Sequence, residues 1–242
     1  MSTPNWADQA RNDEKVSNNI LVGFDYLPTP IKQHMAQKLQ NRPPIKKVYH
    51  VTEVLYCLRK AYYRRVLPKS EGINPEGVWN IYRGSTFDGL WSSLFPINQK
   101  TLVVEKEGIT VTGTLDFIWI DEETFEKCLY DLKMPKNIFY KKKSGAGKFY
   151  KEQVQSYLAM AHYNNELMDV HKARILMIAD DVVAEEVKEN DVILDYVMDR
   201  ALLLDKAITT LNPKILKGPE ESWECDDLYC EADASFKLAC KI

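Results

Sequence analysis

The chain lacks the long apolar segments that mark membrane proteins and secreted proteins. The chain has no stretch of about eighteen apolar residues that could cross a bilayer. Met1–Lys15 is polar and charged, without the apolar core of a signal sequence. The chain also has no excess of positive charge, since its 35 acidic residues outnumber its 32 Lys and Arg residues and leave a net charge of -3. We therefore expect a cytoplasmic protein with no membrane partner, whose binding to nucleic acid would depend on local basic clusters.

Cysteine is sparse and unevenly placed. Of five cysteines, three lie in the last eighteen residues as C-x₄-C followed by x₉ and C, namely Cys225, Cys230 and Cys240. Disulfides are unlikely in the cytosol, so a cysteine group of this kind favours a bound metal or cluster. Cys128 falls on a predicted strand, where a small core residue is the simpler interpretation.

The basic run at 141–148 contains two glycines but lacks the spacing of a P-loop, which argues against an ATP site. Its glycines and charges indicate a mobile loop. Aromatic residues bracket the run, and aromatics interleaved with lysines suit single-stranded DNA. Lys142, Lys143 and Lys148 are therefore candidate DNA contacts, although an ordinary solvated loop explains them equally well.

Strand and helix patterns predict one mixed α/β domain. The β-branched and aromatic bias of Thr110–Ile120 and Phe125–Leu132 predicts a hairpin around a polar turn at 121–123. Further strands are expected at Ala173–Ala179 and Val182–Lys188, followed by a helix capped by Asn190. Residues 1–45 read as an extension of unknown role, and 46–242 as a single domain.

Two carboxylates and an ammonium recur on the predicted hairpin. Asp116 ends Gly-Thr-Leu-Asp, and Asp131-Leu132-Lys133 follows fifteen positions later. Residues i and i+2 share one face of a strand, so Asp131 and Lys133 point the same way and Leu132 points into the core. Alone, such a motif is more often a salt-bridging surface pair. At the end of a half-buried strand it suits a hard divalent ion and phosphate chemistry.

Helical spacing places three further polar residues near this motif. Phe87, Leu90, Trp91, Leu94 and Phe95 form an apolar stripe, and Asp88 lies at its edge, four residues after Gly84. Gln153 and Tyr157 are i, i+4 neighbours on another helical face. Taken alone, Asp88 is better explained as a plain surface aspartate near a helix start, and Gln153 and Tyr157 could be ordinary residues at the edge of the core.

The ordered set of motifs resembles the RecB-like nucleases of the PD-(D/E)xK superfamily, and more narrowly the fourth CRISPR-associated (Cas) protein family, the iron-sulfur exonucleases. The resemblance covers about Tyr49 to Cys240. It implies a mixed central sheet flanked by helices, and a helical iron-sulfur lobe built from 50–66 and 212–242. Where the family usually has histidine, this chain has Asp88, whose carboxylate can also bind a hard ion.

The resemblance also assigns roles to residues. It implies that Mg²⁺ or Mn²⁺ is bound by Asp88, Asp116, Asp131 and the Leu132 carbonyl. Lys133 would help to activate the attacking water. Gln153 and Tyr157 would help to position Lys133 and the DNA backbone. It further implies an iron-sulfur cluster, 4Fe-4S or 2Fe-2S, whose ligands are Cys57, Cys225, Cys230 and Cys240. The wide cysteine spacing leaves structural zinc open.

The resemblance implies a metal-dependent exonuclease on single-stranded DNA, acting 5′ to 3′ during CRISPR spacer acquisition, with CRISPR integrase proteins as candidate partners. Arg59, Lys60 and Arg64 on the Cys57 helix are candidate phosphate contacts, or only a solvated face. Two alternatives stay open. One is a stand-alone RecB-like nuclease of repair or of a mobile element, and the other is a non-catalytic iron-sulfur factor that binds DNA or assists assembly.

Overall fold

The computed structural model describes residues 27–38, 45–66, 75–163, 165 and 167–220. Most of the predicted extension 1–45 lies outside these residues, and so do Cys225, Cys230 and Cys240. The helices are α1 (Thr29–Lys38), α2 (Val51–Leu55), α3 (Leu58–Val66), α4 (Pro75–Ser92), α5 (Phe139–Ser144), α6 (Lys148–Tyr163), α7 (Ile193–Thr209) and the 3₁₀ turn Pro213–Ile215. The strands are β1 (Val48–His50), β2 (Ile97–Asn98), β3 (Thr101–Lys106), β4 (Ile109–Thr114), β5 (Phe117–Ile120), β6 (Lys127–Lys133), β7 (Val170–Ile178) and β8 (Val182–Val187).

The strands form two mixed sheets. The larger sheet has the order β2-β5-β6-β7-β8, in which only β6 and β7 are parallel. Parallel neighbours need a crossover connection, and α5 and α6 supply it between β6 and β7. The smaller sheet has the order β1-β4-β3, with β1 parallel to β4. The predicted mixed α/β class is confirmed.

The predicted hairpin is shorter than expected, because Thr110–Ile120 is two strands and not one. The chain leaves β4 in the smaller sheet, and after Leu115 and Asp116 it enters β5 in the larger one. Only β5 and β6 form the hairpin. Its turn is held by the Asp121 carboxylate, which accepts hydrogen bonds from the amides of Glu123 and Thr124 at 3.1 and 3.0 Å.

Two layers of helix cover the sheets. The apolar faces of α6 and α7 enter the main core and contribute buried residues such as Val154, Leu158, Val197 and Leu204. Helix α4 packs on a separate small core in which Phe87, Trp91 and Phe95 contact Phe117, Leu132 and Ile178. The predicted stripe of α4 is therefore only half correct, since Leu90 and Leu94 are 64% and 71% exposed. None of the helices in the described ranges combines the length and apolar character needed to cross a membrane.

The basic run after β6 is not the predicted loop. Lys141, Lys142 and Lys143 form the last turn of the short helix α5. Gly145 then takes a φ of +75°, and a Cβ at this position would lie 2.7 Å from the Glu185 carboxylate. The glycines thus end one helix and permit a close turn into α6, where the sequence pattern suggested irregular chain.

Candidate active site

The end of β6 carries the centre of the site. Asp131 is buried, with 1% exposure, and its Oδ2 lies 2.6 Å from Nζ of Lys133. Leu132 points to the opposite face and packs in the small core under α4. The alternation predicted for Asp131-Leu132-Lys133 is therefore present, and it places the carboxylate and the ammonium together on the face covered by α6.

The break between the two sheets brings Asp116 to this strand end. Phe117 pairs with Tyr130 in the antiparallel β5 and β6 ladder, so one step further in the same register Asp116 faces Asp131. The backbone amide of Leu132 donates a hydrogen bond of 2.6 Å to Asp116 Oδ2. The structure thus shows a role for the Leu132 amide, while metal binding by its carbonyl stays a prediction.

Burial dominates the electrostatics of the two aspartates. Desolvation, followed by the charge of Asp131, raises the pKa of Asp116 to about 8, although the Lys133 ammonium acts to lower it. Burial also raises the pKa of Asp131, against the ammonium of Lys133. For Lys133, burial acts to lower the pKa, but the two carboxylates outweigh it and the pKa is raised. With both aspartates ionised, one ammonium leaves a net negative charge in a buried place.

One oxygen of Asp131 has an incomplete set of partners. Gln153 Nε2 donates to Asp131 Oδ1 over 3.5 Å. Oδ2 is buried and pairs with the Lys133 ammonium at 2.6 Å, without a further partner among the residues that the structure describes. A carboxylate oxygen can accept more than one contact of this kind, so a metal ion or an ordered water can also bind here.

Helix α6 supplies the predicted Gln153 and Tyr157 to the same place. The Gln153 amide donates to the Tyr157 hydroxyl at 2.8 Å. Burial raises the pKa of Tyr157, with a further contribution from the Asp131 charge, so its phenol stays neutral. A Cβ on Gly113 would lie 2.6 Å from the Tyr157 ring. Only glycine on β4 permits this approach, a packing role for Gly113 that its place in Gly-Thr-Leu-Asp alone does not reveal.

Asp88 lies at the rim of the site on α4. Its carboxylate accepts hydrogen bonds from Ser92 Oγ at 3.0 Å and from Gln99 Nε2 at 3.2 Å. Its charge contributes to raising the pKa of both Asp116 and Asp131. The three aspartates together do not bring one oxygen each within 4.8 Å of one another. Asp116 and Asp131 are thus an inner pair, and Asp88 approaches it from the outside.

Cys57 is buried between α2 and α3, at 3% exposure. The guanidinium of Arg200 on α7 holds the preceding backbone, since it donates to the carbonyls of Val54 and Tyr56 at 2.5 and 2.6 Å. No sequence pattern marked Arg200, because its partners are backbone atoms far away in the chain. Cys128 is fully buried, and burial raises the pKa of its thiol to about 11, in agreement with an ordinary core residue.

The six side chains predicted to contact DNA differ in their contacts within the protein and in their exposure. Arg59 Nε donates to the Leu216 carbonyl at 2.9 Å, Lys142 forms an ion pair with Asp181, and Lys148 contacts Glu220 at 3.0 Å. Lys60 is half-buried, whereas Arg64 and Lys143 are exposed. The contacts of Arg59, Lys142 and Lys148 give these three side chains structural partners. Binding of DNA by any of the six stays a prediction.

Comparison with known proteins supports the fold without identifying a family. No family model matches the chain, and no curated protein matches it. Among solved structures, SSO0001 aligns with a TM-score of 0.55 at 18% identity, over 83% of this chain and 90% of that one. A second structure, described as "Putative exonuclease" from Eubacterium rectale, aligns over 100% of this chain and 99% of that one, but its TM-score of 0.33 and its identity of 13% are too low to show a common fold. The chain shares the fold of SSO0001.

Proposed function

We propose that this protein is a metal-dependent deoxyribonuclease. One observation carries the proposal: the buried Asp131 and the half-buried Asp116 are held side by side, beside Lys133, at the end of a central strand. Keeping two carboxylates out of water opposes folding. Carboxylates that destabilise the folded state in this way are expected at functional sites, for example where they bind a cation and a phosphate.

The chemistry of the donors fits Mg²⁺ or Mn²⁺. Hard divalent ions take carboxylate and carbonyl oxygens, and the adjacent carboxyl groups of Asp116 and Asp131 offer such oxygens once Asp116 gives up its proton. Asp116 and Asp131 would hold the ion, with Asp88 and the Leu132 carbonyl as further ligands. When bound, such an ion polarises a phosphodiester and makes water more acidic.

Lys133 has the properties of a charge stabiliser and not of a base. Its raised pKa keeps the ammonium protonated at neutral pH, so it can donate to a phosphate oxygen or orient water, but it cannot take up a proton. Gln153 and Tyr157 hold Asp131 from the side of α6. Arg83 on α4 donates to the Met134 carbonyl at 3.2 Å, which places a second fixed cation beside the strand end.

The substrate class rests on weaker support than the chemistry. Phe139 and Tyr140, six and seven residues after Lys133, are 69% and 70% exposed, and exposed aromatic rings near a phosphate site suit the stacking of single-stranded bases. The family resemblance adds exonucleolytic action from 5′ to 3′, a role in spacer acquisition, and an iron-sulfur cluster on Cys57, Cys225, Cys230 and Cys240. Visible thiolate-to-iron absorbance would distinguish this cluster from colourless zinc.

The decisive experiment is digestion of single-stranded DNA by proteins prepared together without oxygen. We would compare wild type, Asp131→Asn and the control Asp121→Asn, with Mg²⁺, with Mn²⁺ and with chelator. Asp121 is a second aspartate of the same hairpin, but it holds a turn outside the site. Substrates labelled at the 5′ or 3′ end give the direction, and circular single strands separate exonuclease from endonuclease action.

We expect wild type and Asp121→Asn to degrade DNA only with the metal, and Asp131→Asn to lose activity by at least about 100-fold. Equal activity in wild type and Asp131→Asn would contradict the proposal. A wild-type protein that binds DNA but leaves it intact with both metals would instead favour the non-catalytic factor. Activity without any effect of added CRISPR integrase proteins would favour the stand-alone nuclease.

A further inference from the structure

A second group of metal-binding side chains lies away from the site described above. His162, His171 and Glu189 bring one ligand atom each within 4.8 Å of one another, and no other trio of His, Cys, Asp or Glu does so in the described part of the chain. We infer that these three residues form a second metal site, which takes Zn²⁺ or a similar transition-metal ion. Two imidazoles and one carboxylate are a known donor set for such ions.

Three elements supply the ligands. His162 lies in the last turn of α6, His171 near the start of β7, and Glu189 two residues after β8. The strand β8 is an edge of the larger sheet. An ion at this place would join the end of a helix, a central strand and the edge strand, and so its role would be structural.

The hydrogen bonding of His162 prepares its ring for a metal. Nε2 lies 2.7 Å from the Val170 carbonyl, and since a carbonyl only accepts, Nε2 carries the proton. The lone pair of the neutral ring is then on Nδ1. Metal-binding histidines usually donate their other ring nitrogen to a backbone carbonyl or carboxylate in this way, which fixes the tautomer and the ring orientation.

The distance between His171 and Glu189 also fits an ion. Nδ1 of His171 lies 3.3 Å from Oε1 of Glu189. That is longer than a charge-assisted hydrogen bond, about 2.8 Å, and it matches the edge of a tetrahedron around zinc, about 3.3 Å for bonds near 2.0 Å. The carboxyl end of α6, where His162 lies, adds the negative end of a helix dipole.

This site is separate from the proposed catalytic site. Asp131 on β6 pairs with Ile175 on β7, and His171 lies four residues before Ile175. At about 3.3 Å per residue the two sites are about 13 Å apart along the strand. The second ion is therefore independent of the proposed nuclease chemistry, and loss of either site leaves the other testable.

The test is the amount of zinc bound by the full chain at equilibrium with buffered free Zn²⁺. We would compare wild type, His171→Ala, Glu189→Gln and His34→Ala, each first shown to be folded by circular dichroism. His171 and Glu189 are exposed, so their substitution is compatible with folding, and His34→Ala removes an exposed histidine elsewhere. Zinc held by the cysteines or by the aspartates is common to all four proteins and cancels in the comparison.

We expect wild type and His34→Ala to bind one more zinc ion per chain than His171→Ala or Glu189→Gln. The chain has four histidines, so imidazole resonances provide a second measurement: zinc should shift the signals of His162 and His171 and leave those of His34 and His50 in place. Equal zinc binding by wild type and His171→Ala, or zinc shifts confined to His34 and His50, would overturn the inference.

Discussion

The cost of burying Asp116 can be measured with Asp116→Asn. Asparagine keeps an oxygen that can accept the Leu132 amide hydrogen bond, which is 2.6 Å long in wild type, and it removes only the charge. Burial, followed by the charge of Asp131, raises the pKa of Asp116 from 3.8 to about 8. The folded protein therefore holds a proton that the unfolded chain releases above about pH 4. Without metal, wild type should lose stability as the pH rises from 3.8 to about 8.

The size of the stability difference between the two proteins follows from the interval between the two pKa values of Asp116. Each pH unit between the two pKa values is worth about 1.4 kcal/mol, so at pH 7 the upper bound is about 4 kcal/mol. Structural relaxation and water around the carboxyl group reduce such penalties, and we expect Asp116→Asn to be more stable than wild type by about 2 kcal/mol. For a chain of this size that corresponds to roughly 4–8 °C in melting temperature. As the pH falls, the gain in stability should shrink and vanish by about pH 4.

The assay is chemical or thermal unfolding of chelator-treated wild type and Asp116→Asn between pH 4 and 9. Mn²⁺ should raise the melting temperature of wild type and narrow the difference, and its affinity should increase with pH because it displaces a proton. Asp121→Asn is the control of opposite sign. Backbone hydrogen bonds, first that of Thr124, lower the pKa of Asp121 from 3.8 to about 2 and so stabilise wild type above pH 3.8. The Asp121→Asn variant should therefore be less stable than wild type by an amount that stays constant between pH 4 and 9. Superimposable pH profiles for wild type and Asp116→Asn would refute the argument.

Three further substitutions test the candidate site and the expected cluster. Lys133→Met should abolish DNA cleavage. Mn²⁺ binding, measured by calorimetry, should be kept or strengthened, because the positive charge nearest to the metal ligands is gone. Retained cleavage would exclude Lys133 as the group that stabilises charge on the phosphate. Gly113→Ala should destabilise the fold by about 1–3 kcal/mol and reduce nuclease activity, because a Cβ 2.6 Å from the Tyr157 ring must displace it; unchanged unfolding curves and kinetics would contradict this. Cys225→Ser should lower both the content of iron or zinc and the melting temperature, and a variant with wild-type values of both would argue against a structural cluster.

Local periodicity accounts for much of the predicted structure. The two-residue repeat placed Asp131 and Lys133 on one face of β6 and Leu132 on the other, and the helical repeat placed Gln153 and Tyr157 together on α6. These relations depend only on the geometry of a strand or a helix. The same reasoning was wrong for Leu90 and Leu94, because a helical stripe does not say how much of it another element covers. It was also wrong for 141–148, where charge and glycine suggested a loop and three lysines end a helix.

The sequence alone therefore predicts which residues form the candidate site and on which local face each of them lies. The tertiary structure adds that the chain changes sheets at Asp116, which brings this carboxylate beside Asp131. It also decided how deeply the pair is buried, and hence how far the pKa of Asp116 is raised. The hydrogen bonds from Arg200 to the backbone before Cys57 also depend on the tertiary structure, and so does the proximity of His162, His171 and Glu189. Periodicity is a property of neighbours in the chain, whereas burial and contacts between distant elements depend on how the whole chain packs.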